Sequence, residues 1–288
     1  MSLIQTAAAL VIAGAVLHGP TGAQQTAASG LLLATVVDST GQILIDLQPD
    51  DFVVDEDGIE REVLGVRVAD YPVVLLVDDR SGGGNDLPRV REAALEFIGR
   101  LGDRAIAVGT LANPPALVAT FEDARATALD RIIRLAPNPS TLLRPLESIA
   151  AGASLVRDVG APFSAIVVVT ERPMTPIDPE SLRLLNPVLD SHATVHVIAR
   201  QPSGLTPDQD GAPRAETDVL RDLAQQTGGQ YTPVFSVASY GAALERLAER
   251  MVSELLVEYL VPPGAKADRV RIGVRVPGAR VLRLKISR

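Results

Sequence analysis

The chain has 288 residues, long enough for one large core or two modest ones. Its formal net charge of −8 argues against a nucleic-acid partner, because phosphate binding needs a basic surface. The absence of cysteine excludes disulfides, thiolate metal sites and cysteine nucleophiles.

The first 23 residues have the pattern of a secretory signal. Residues 7–17 form an apolar run too short to cross a bilayer comfortably, and the breaker pair Gly19-Pro20 follows it. Small residues at Thr21 and Ala23 suit cleavage after Ala23, although the segment lacks the usual Lys or Arg. We therefore predict a signal peptide over residues 1–23, with an uncleaved anchor as the alternative. The mature protein is expected to be exported (periplasmic, cell-envelope or secreted), with no stable membrane span.

Residues 30–70 have the pattern of a small all-β unit. Apolar runs at 31–37, 42–47 and 59–68, with a further one beginning at Phe52, predict strands, and Glu56-Asp57-Gly58 has the composition of a hairpin turn. A unit of this size needs another surface against which to bury its apolar side chains.

Residues 71–261 alternate between strand and helix patterns. Strands are predicted at 73–77, 105–110, 165–170 and 194–199, with a short one near 229–233. Helices are predicted at 87–101, 124–135, 142–158, 179–191, 216–227 and 240–258. Such alternation predicts an α/β fold with a doubly wound, mostly parallel sheet.

Residues 262–288 return to a β pattern. Alternating apolar positions at 268–276 and 280–286, separated by Pro277-Gly278, predict a hairpin. We expect this hairpin to pack on the N-terminal strands, giving a β-sandwich built from both chain ends with the α/β domain inserted between them.

The strand at 73–77 ends in oxygen-bearing side chains. Asp78 and Asp79 follow it directly, then Ser81 and a run of glycines. Ligands of open α/β sheets bind beyond the carboxyl ends of the strands, and oxygen ligands there suit a hard cation such as Mg²⁺. The simpler alternative is that the two aspartates cap the helix that follows.

Several segments, in this order and spacing, resemble a von Willebrand factor type A domain over roughly residues 30–288. They are Val36-Val37-Asp38-Ser39-Thr40-Gly41, Leu47-Gln48-Pro49-Asp50-Asp51-Phe52-Val53-Val54-Asp55-Glu56-Asp57-Gly58, Val74-Leu75-Leu76-Val77-Asp78-Asp79, Ser140-Thr141-Leu142-Leu143, Leu223-Ala224-Gln225-Gln226-Thr227-Gly228-Gly229-Gln230-Tyr231 and Glu258-Tyr259-Leu260. The whole chain looks like an exported bacterial, acidobacterial-type subgroup of that family. The resemblance implies a Rossmann-like fold and a metal-ion-dependent adhesion site with ligands from three loops.

The resemblance assigns the first loop to Asp78 or Asp79 with Ser81, the second to Thr141 and the third to Glu171. If Asp79 is the ligand, glycine stands at the second serine position; if Asp78 is the ligand, Arg80 occupies the first serine position. Glu171 stands where the family has Asp. Two alternatives stay open: the residues bind Mg²⁺, or an arginine (Arg80 or Arg172) replaces the charge of the metal in a degenerate site.

The sequence contains no Gly-x-Ser-x-Gly, HExxH, P-loop or Rossmann fingerprint, and His192 and His196 are expected to be structural. We therefore predict a non-enzymatic module that binds a protein partner, in the metal-competent form through an acidic side chain of that partner. The alternatives are a metal-independent structural or assembly scaffold of the cell envelope and, third, an undetected hydrolase.

Overall fold

The computed structural model describes residues 28–79, 86–111, 114–138, 144–171, 174, 182–201, 218–262 and 269–287. The predicted signal peptide lies outside the described residues, as do Arg80, Ser81, Thr141 and Arg172. Among the described helices, none has the length and apolar character needed to cross a membrane.

A six-stranded sheet forms the centre of the α/β unit. Its strands are β6 (Val73–Val77), β7 (Ile106–Thr110), β8 (Ala116–Ala119), β9 (Ala165–Thr170), β10 (Thr194–Arg200) and β11 (Tyr231–Val234). They lie in the order β11-β10-β9-β6-β7-β8, and every pairing is parallel except that of β7 with the edge strand β8. The order corresponds to the 3-2-1-4-5-6 arrangement of a doubly wound sheet. The predicted fold class is confirmed.

Helices cover both faces of this sheet. The described helices are α1 (Asp86–Arg100), α2 (Arg125–Ile133), α3 (Pro145–Val159), α4 (Leu185–Asp190), α5 (Val219–Gln226) and α6 (Ser239–Val252). Side chains of β6 alternate between two cores: Val73 and Leu75 pack with α1 and α6, while Val74 and Leu76 pack with α3 and α5. Burial on both faces explains why β6 is an unbroken apolar run.

Strands from both chain ends form a β-sandwich. One sheet has the order β14-β1-β12-β5, with β2 paired to β1, and contains β1 (Ala28–Val37), β2 (Ile43–Leu44), β5 (Val63–Val68), β12 (Leu255–Val261) and β14 (Arg280–Ile286). The other has the order β13-β3-β4 and contains β3 (Phe52–Glu56), β4 (Ile59–Arg61) and β13 (Val270–Val274). Leu32, Val54 and Val257 belong to the core between the two sheets. The predicted sandwich is confirmed, and the exact domain limits stay a prediction.

Three predictions about this sandwich were wrong in detail. The helix predicted at 240–258 ends at Val252, and Leu255–Val261 is instead a strand between β1 and β5. The single strand predicted at 59–68 is two strands, β4 and β5, in different sheets. The predicted C-terminal hairpin does not form, because β13 pairs with β3 while β14 pairs with β1.

The chain enters and leaves the α/β unit at one place. Val68, at the end of β5, is paired with Leu255, at the start of β12. The Ala69 amide donates a hydrogen bond to the Glu254 carbonyl at 2.8 Å. The Tyr71 hydroxyl donates to Glu254 Oε2 at 2.5 Å, and the Arg104 guanidinium lies 4.4 Å from the centre of the Tyr71 ring. These buried contacts fix the α/β unit against the sandwich.

Candidate functional site at the carboxyl edge of the sheet

The site lies where the strand order reverses. From β6 the chain continues through β7 and β8 on one side, whereas β9, β10 and β11 lie on the other. The crevice between the carboxyl ends of β6 and β9 is therefore the topological switch point, which is where open α/β sheets bind ligands. Asp78 and Asp79 follow β6, and Glu171 follows β9.

Asp78 and Glu171 are brought together across this crevice. The Asp78 amide donates to the Val169 carbonyl at 2.9 Å, which continues the pairing of β6 with β9 past the end of β6. The Glu171 amide in turn donates to Asp78 Oδ2 at 3.2 Å. The Asp78 side chain thus links two of the three predicted loops, and only 4% of the residue is exposed.

Asp79 is buried beside β7. No described residue meets hydrogen-bond geometry with its Oδ1 atom, or with the hydroxyl of Thr110 at the end of β7, although this hydroxyl is near enough to lower the pKa of Asp79. Burial raises the pKa of Asp79 above its usual 3.8, and the negative charge of Asp78 raises it further, while polar groups nearby, including the side chains of Asn138 and Thr110, oppose the rise. An unpartnered buried carboxylate oxygen is costly unless a proton or a cation satisfies it.

The described residues on either side of Thr141 are fixed near the same edge. The Asn138 amide donates to the Asp79 carbonyl at 2.7 Å, and the Arg144 amide donates to the Leu111 carbonyl at 3.3 Å. The Leu111 amide donates a hydrogen bond to the Val77 carbonyl at 3.0 Å. Both flanks of the predicted second loop are therefore attached to the carboxyl ends of β6 and β7.

An ion pair that was not predicted from the sequence lies at this edge. Arg200 is the last residue of β10, and Asp86 is the first residue of α1. Arg200 Nη1 donates a hydrogen bond to Asp86 Oδ2 at 2.7 Å. This bond raises the pKa of Arg200, and the negative charge of Glu171 raises it further. The Tyr240 hydroxyl donates to the Thr170 carbonyl at 2.8 Å. Arg200 is 114 residues from Asp86 in the chain, so no local motif could have identified the pair.

The described donor set fits a hard cation in its chemistry. Carboxylate and hydroxyl oxygens are the ligands that Mg²⁺ prefers, and Asp79 supplies an oxygen that has no hydrogen-bond partner in the described part of the chain. Within the described ranges, however, no group of three or more acidic, histidine or cysteine side chains is placed to hold a metal. A complete set would need Ser81 and Thr141, which lie outside those ranges.

The two described histidines have structural surroundings. His196, in β10, is 2% exposed and its Nδ1 accepts the Gln230 amide at 3.2 Å. Burial lowers its pKa well below 6.5, which keeps the imidazole neutral. His192 lies in the turn before β10 with a positive φ of 55°, so the two do not share a strand face.

No known protein family matches the chain, and no curated protein is significantly similar to it. Solved structures with a similar fold include a von Willebrand factor type A protein from Catenulispora acidiphila, with 18% identity, a TM-score of 0.48, and coverage of 84% of this chain and 74% of that one. They also include the vWF domain of the type V pili tip protein Mfa5 from Porphyromonas gingivalis (10%, TM-score 0.47, coverage 64% and 95%) and the conserved hypothetical protein BatB from Bacteroides thetaiotaomicron (13%, TM-score 0.45, coverage 63% and 98%). Similarities this distant transfer no function, and the fold assignment rests on the strand order described above.

Proposed function

We propose that this protein is a non-enzymatic binding module of the cell envelope or exterior that engages a protein partner through the carboxyl edge of its six-stranded sheet. The observation that carries the proposal is the pair of buried aspartates at the switch point, one of which has an oxygen with no described partner. A buried polar group without a protein partner calls for an explanation, and at the switch point of an open α/β sheet a bound ligand provides one.

An exposed aromatic side chain supports a protein partner at this edge. Phe235 directly follows β11 and is 67% exposed, in a chain with only five phenylalanines. Since β11 is parallel to β6 through β10 and β9, Phe235 lies at the same edge as Asp78. Aromatic side chains are enriched among the residues that dominate binding energy at protein interfaces.

In the metal-dependent form of the proposal, Mg²⁺ would be held by Asp78, Asp79, Ser81, Thr141 and Glu171. A cation with an open coordination position supplies an attachment point for an acidic side chain of the partner. The chain itself contributes the buried carboxylates and the fixed positions of the flanking loops.

A metal-independent scaffold is the second candidate, and the Arg200–Asp86 ion pair favours it. Arg200 lies close enough to Glu171 to respond to its charge, so a cation of the protein already stands at the edge. In this form an arginine performs the role first considered for Arg80 or Arg172, and the partner is recognised by shape and hydrogen bonding.

Thermal unfolding with and without divalent cations tests the metal-dependent form. The protein is unfolded in EDTA and then with Mg²⁺ or Mn²⁺ titrated in, alongside Thr141→Ala and Asp79→Asn. A ligand that binds only the folded state adds roughly 2.7 kcal/mol at a hundredfold excess over Kd. A metal-dependent rise in unfolding temperature that both variants abolish supports the cation site. An unfolding temperature that does not respond to metal contradicts the cation site and favours the metal-independent scaffold.

Replacement of Phe235 tests the binding surface itself. Phe235→Ala should leave the unfolding temperature unchanged, because the side chain is mostly exposed. We expect it to weaken capture of the partner in cross-linking from the native envelope fraction. The control is Ile59→Ala, which truncates another exposed apolar side chain, in the β-sandwich. Capture that is unaltered by Phe235→Ala would contradict this assignment of the surface.

A further inference from the structure

A second polar site lies at the opposite edge of the α/β unit, where it meets the five-stranded sheet. On one face of that sheet, Leu33 is paired with Lys285 and Thr35 with Arg283. Leu33 packs in the same core cluster as β6, so this face looks toward the α/β unit. Two cations are therefore carried on the face that abuts the α/β unit.

These residues line a cavity of about 190 Å³ together with groups from the α/β unit. Its lining includes Thr35, Thr194, Arg250, Glu254, Arg283 and Lys285. Three basic side chains thus face one acidic side chain, although the whole chain carries a formal charge of −8. The volume exceeds that of several water molecules at about 30 Å³ each, so it can admit a small polyatomic ligand.

Two hydrogen-bond donors in this cavity are buried and make no hydrogen bond with a described residue. Thr35 is 3% exposed, and its hydroxyl has no partner among the described residues. The Nε atom of Arg250 is also buried and makes no hydrogen bond with a described residue. Its nearest acidic atom, Glu254 Oε1, is 3.9 Å away, whereas Nη1 of the same guanidinium donates to Gln230 Oε1 at 2.9 Å. Each unsatisfied donor costs free energy that a bound acceptor would recover.

The ammonium group of Lys285 is held in place at the cavity wall. Its Nζ donates to the His192 carbonyl at 2.7 Å and to Thr194 Oγ1 at 2.6 Å. An ammonium group has three donors, so one remains for a ligand. Burial lowers the pKa of Lys285 to about 8.

Glu254 offsets only part of this positive charge, because it is one carboxylate among three basic side chains, and its Oε1 lies 3.9 Å from Arg250 Nε. Its Oε2 already accepts the Tyr71 hydroxyl, and burial is the main cause that raises its pKa. One oxygen of the carboxylate is thereby held by Tyr71, while Arg250 and Arg283 lie within electrostatic reach of its charge.

We propose that this cavity is a binding site for a small oxyanion of the phosphate or sulfate class, with Arg250, Arg283 and Lys285 supplying charge and Thr35 supplying a hydroxyl donor. Guanidinium and hydroxyl groups match several oxygens of one tetrahedral anion, and a guanidinium is less strongly hydrated than an ammonium. The site is separate from the carboxyl edge, because Thr194 begins β10 whereas Arg200 ends it. It stands independently of the proposed partner binding.

Isothermal titration calorimetry and thermal unfolding of the full chain with inorganic phosphate test this site, with NaCl matching the ionic strength. The variants are Arg283→Gln and Thr35→Val. The control is Arg280→Gln, which removes the same charge from a position on the same strand that does not line the cavity. Phosphate should raise the unfolding temperature at concentrations of about 10 mM or less. Arg283→Gln should weaken binding about tenfold, as expected for a lost charge-assisted hydrogen bond.

Thr35→Val separates ligand binding from folding. It removes a buried hydroxyl without changing the side-chain shape, so the free protein should be at least as stable while phosphate binding weakens. No stabilisation beyond that of NaCl, or equal weakening by Arg280→Gln, would overturn the site. Glycerol phosphate shows whether the ligand is a phosphate ester or the free ion. Binding as tight as that of inorganic phosphate indicates that the site accepts an ester, and loss of binding indicates that it accepts only the free ion. Either result supports the site.

Discussion

The buried contact between Tyr71 and Glu254 gives a prediction with a distinctive dependence on pH. Tyr71→Phe keeps the aromatic ring under Arg104 and removes only the hydroxyl that donates to Glu254 Oε2. Hydrogen bonds to charged groups contribute about 1.5–3 kcal/mol, and those between neutral groups about 0.5–1.5 kcal/mol. We therefore expect a loss of about 2 kcal/mol when Glu254 is ionised and about 1 kcal/mol when it is protonated.

The sign of the pH effect follows from the direction of the shift. Burial raises the pKa of Glu254 above 4.5 in the folded state, and the hydrogen bond from Tyr71 partly opposes this rise. The stability that a raised pKa contributes is present below 4.5 and is lost as the pH rises through the folded-state pKa. Removing the Tyr71 hydroxyl raises the folded-state pKa of Glu254 further. The variant therefore loses stability over a wider pH range than the wild-type protein, and loses more of it.

Urea unfolding followed by circular dichroism at about pH 4 and about pH 7 measures this difference. Tyr240→Phe is the matched control, because its hydroxyl donates to the carbonyl of Thr170 rather than to a carboxylate. Its cost should be about 1 kcal/mol at both pH values. An equal cost of Tyr71→Phe at the two pH values, or the same pH dependence in Tyr240→Phe, would show that the ionisation of Glu254 does not strengthen this hydrogen bond.

Two further predictions concern the ends of the α/β sheet. Asp79→Asn should leave the metal-free protein as stable at neutral pH or about 1 kcal/mol more so, because it removes a desolvated charge whose pKa is raised; clear destabilisation in EDTA would contradict this. Gly229→Ala should cost about 3 kcal/mol or more, since the added Cβ would lie 1.8 Å from the Val195 carbonyl oxygen. Its control is Gly241→Ala, with open space around a position in α6, which should add roughly 0.5 kcal/mol. Thermal unfolding of both glycine variants checks the pair, and similar effects would count against the steric explanation.

The α/β fold could be predicted because its strands have strong local patterns. The run Val73–Val77 is buried on both faces, and each of the other predicted strands of the sheet lies within a few residues of its expected place. The edge strand β8 was missed because it has only four residues, two of them exposed. Short edge strands carry little periodic signal.

Strand β12 shows where local pattern fails. Leu255, Leu256, Val257 and Tyr259 continue the apolar character of α6, and such a run does not distinguish a buried helix from a central strand. Its neighbours β1 and β5 lie far away in the chain, so pairing with them decides its structure. Tertiary contacts overrode the apparent helical pattern.

The candidate site was only partly predictable for the same reason. Asp78 and Glu171 were placed correctly at neighbouring strand ends, because parallel strands align their carboxyl ends. Arg200 and Thr110 were missed, since their proximity to the acidic residues depends on strand order rather than on spacing. The metal, the role of Ser81 and that of Thr141 stay predictions.

The pairing of Val68 with Leu255 has a consequence for how the chain folds. Tyr71 and Glu254 are 183 residues apart in sequence, and bringing such distant ends together from an unfolded chain carries a substantial entropic cost. If the α/β unit forms first, it delivers its own two ends side by side, and β5 can then join β12 as though a short turn connected them. The pairing of β5 with β12 would then form between two segments that the folded α/β unit already holds side by side, as the turn of a hairpin holds its two strands.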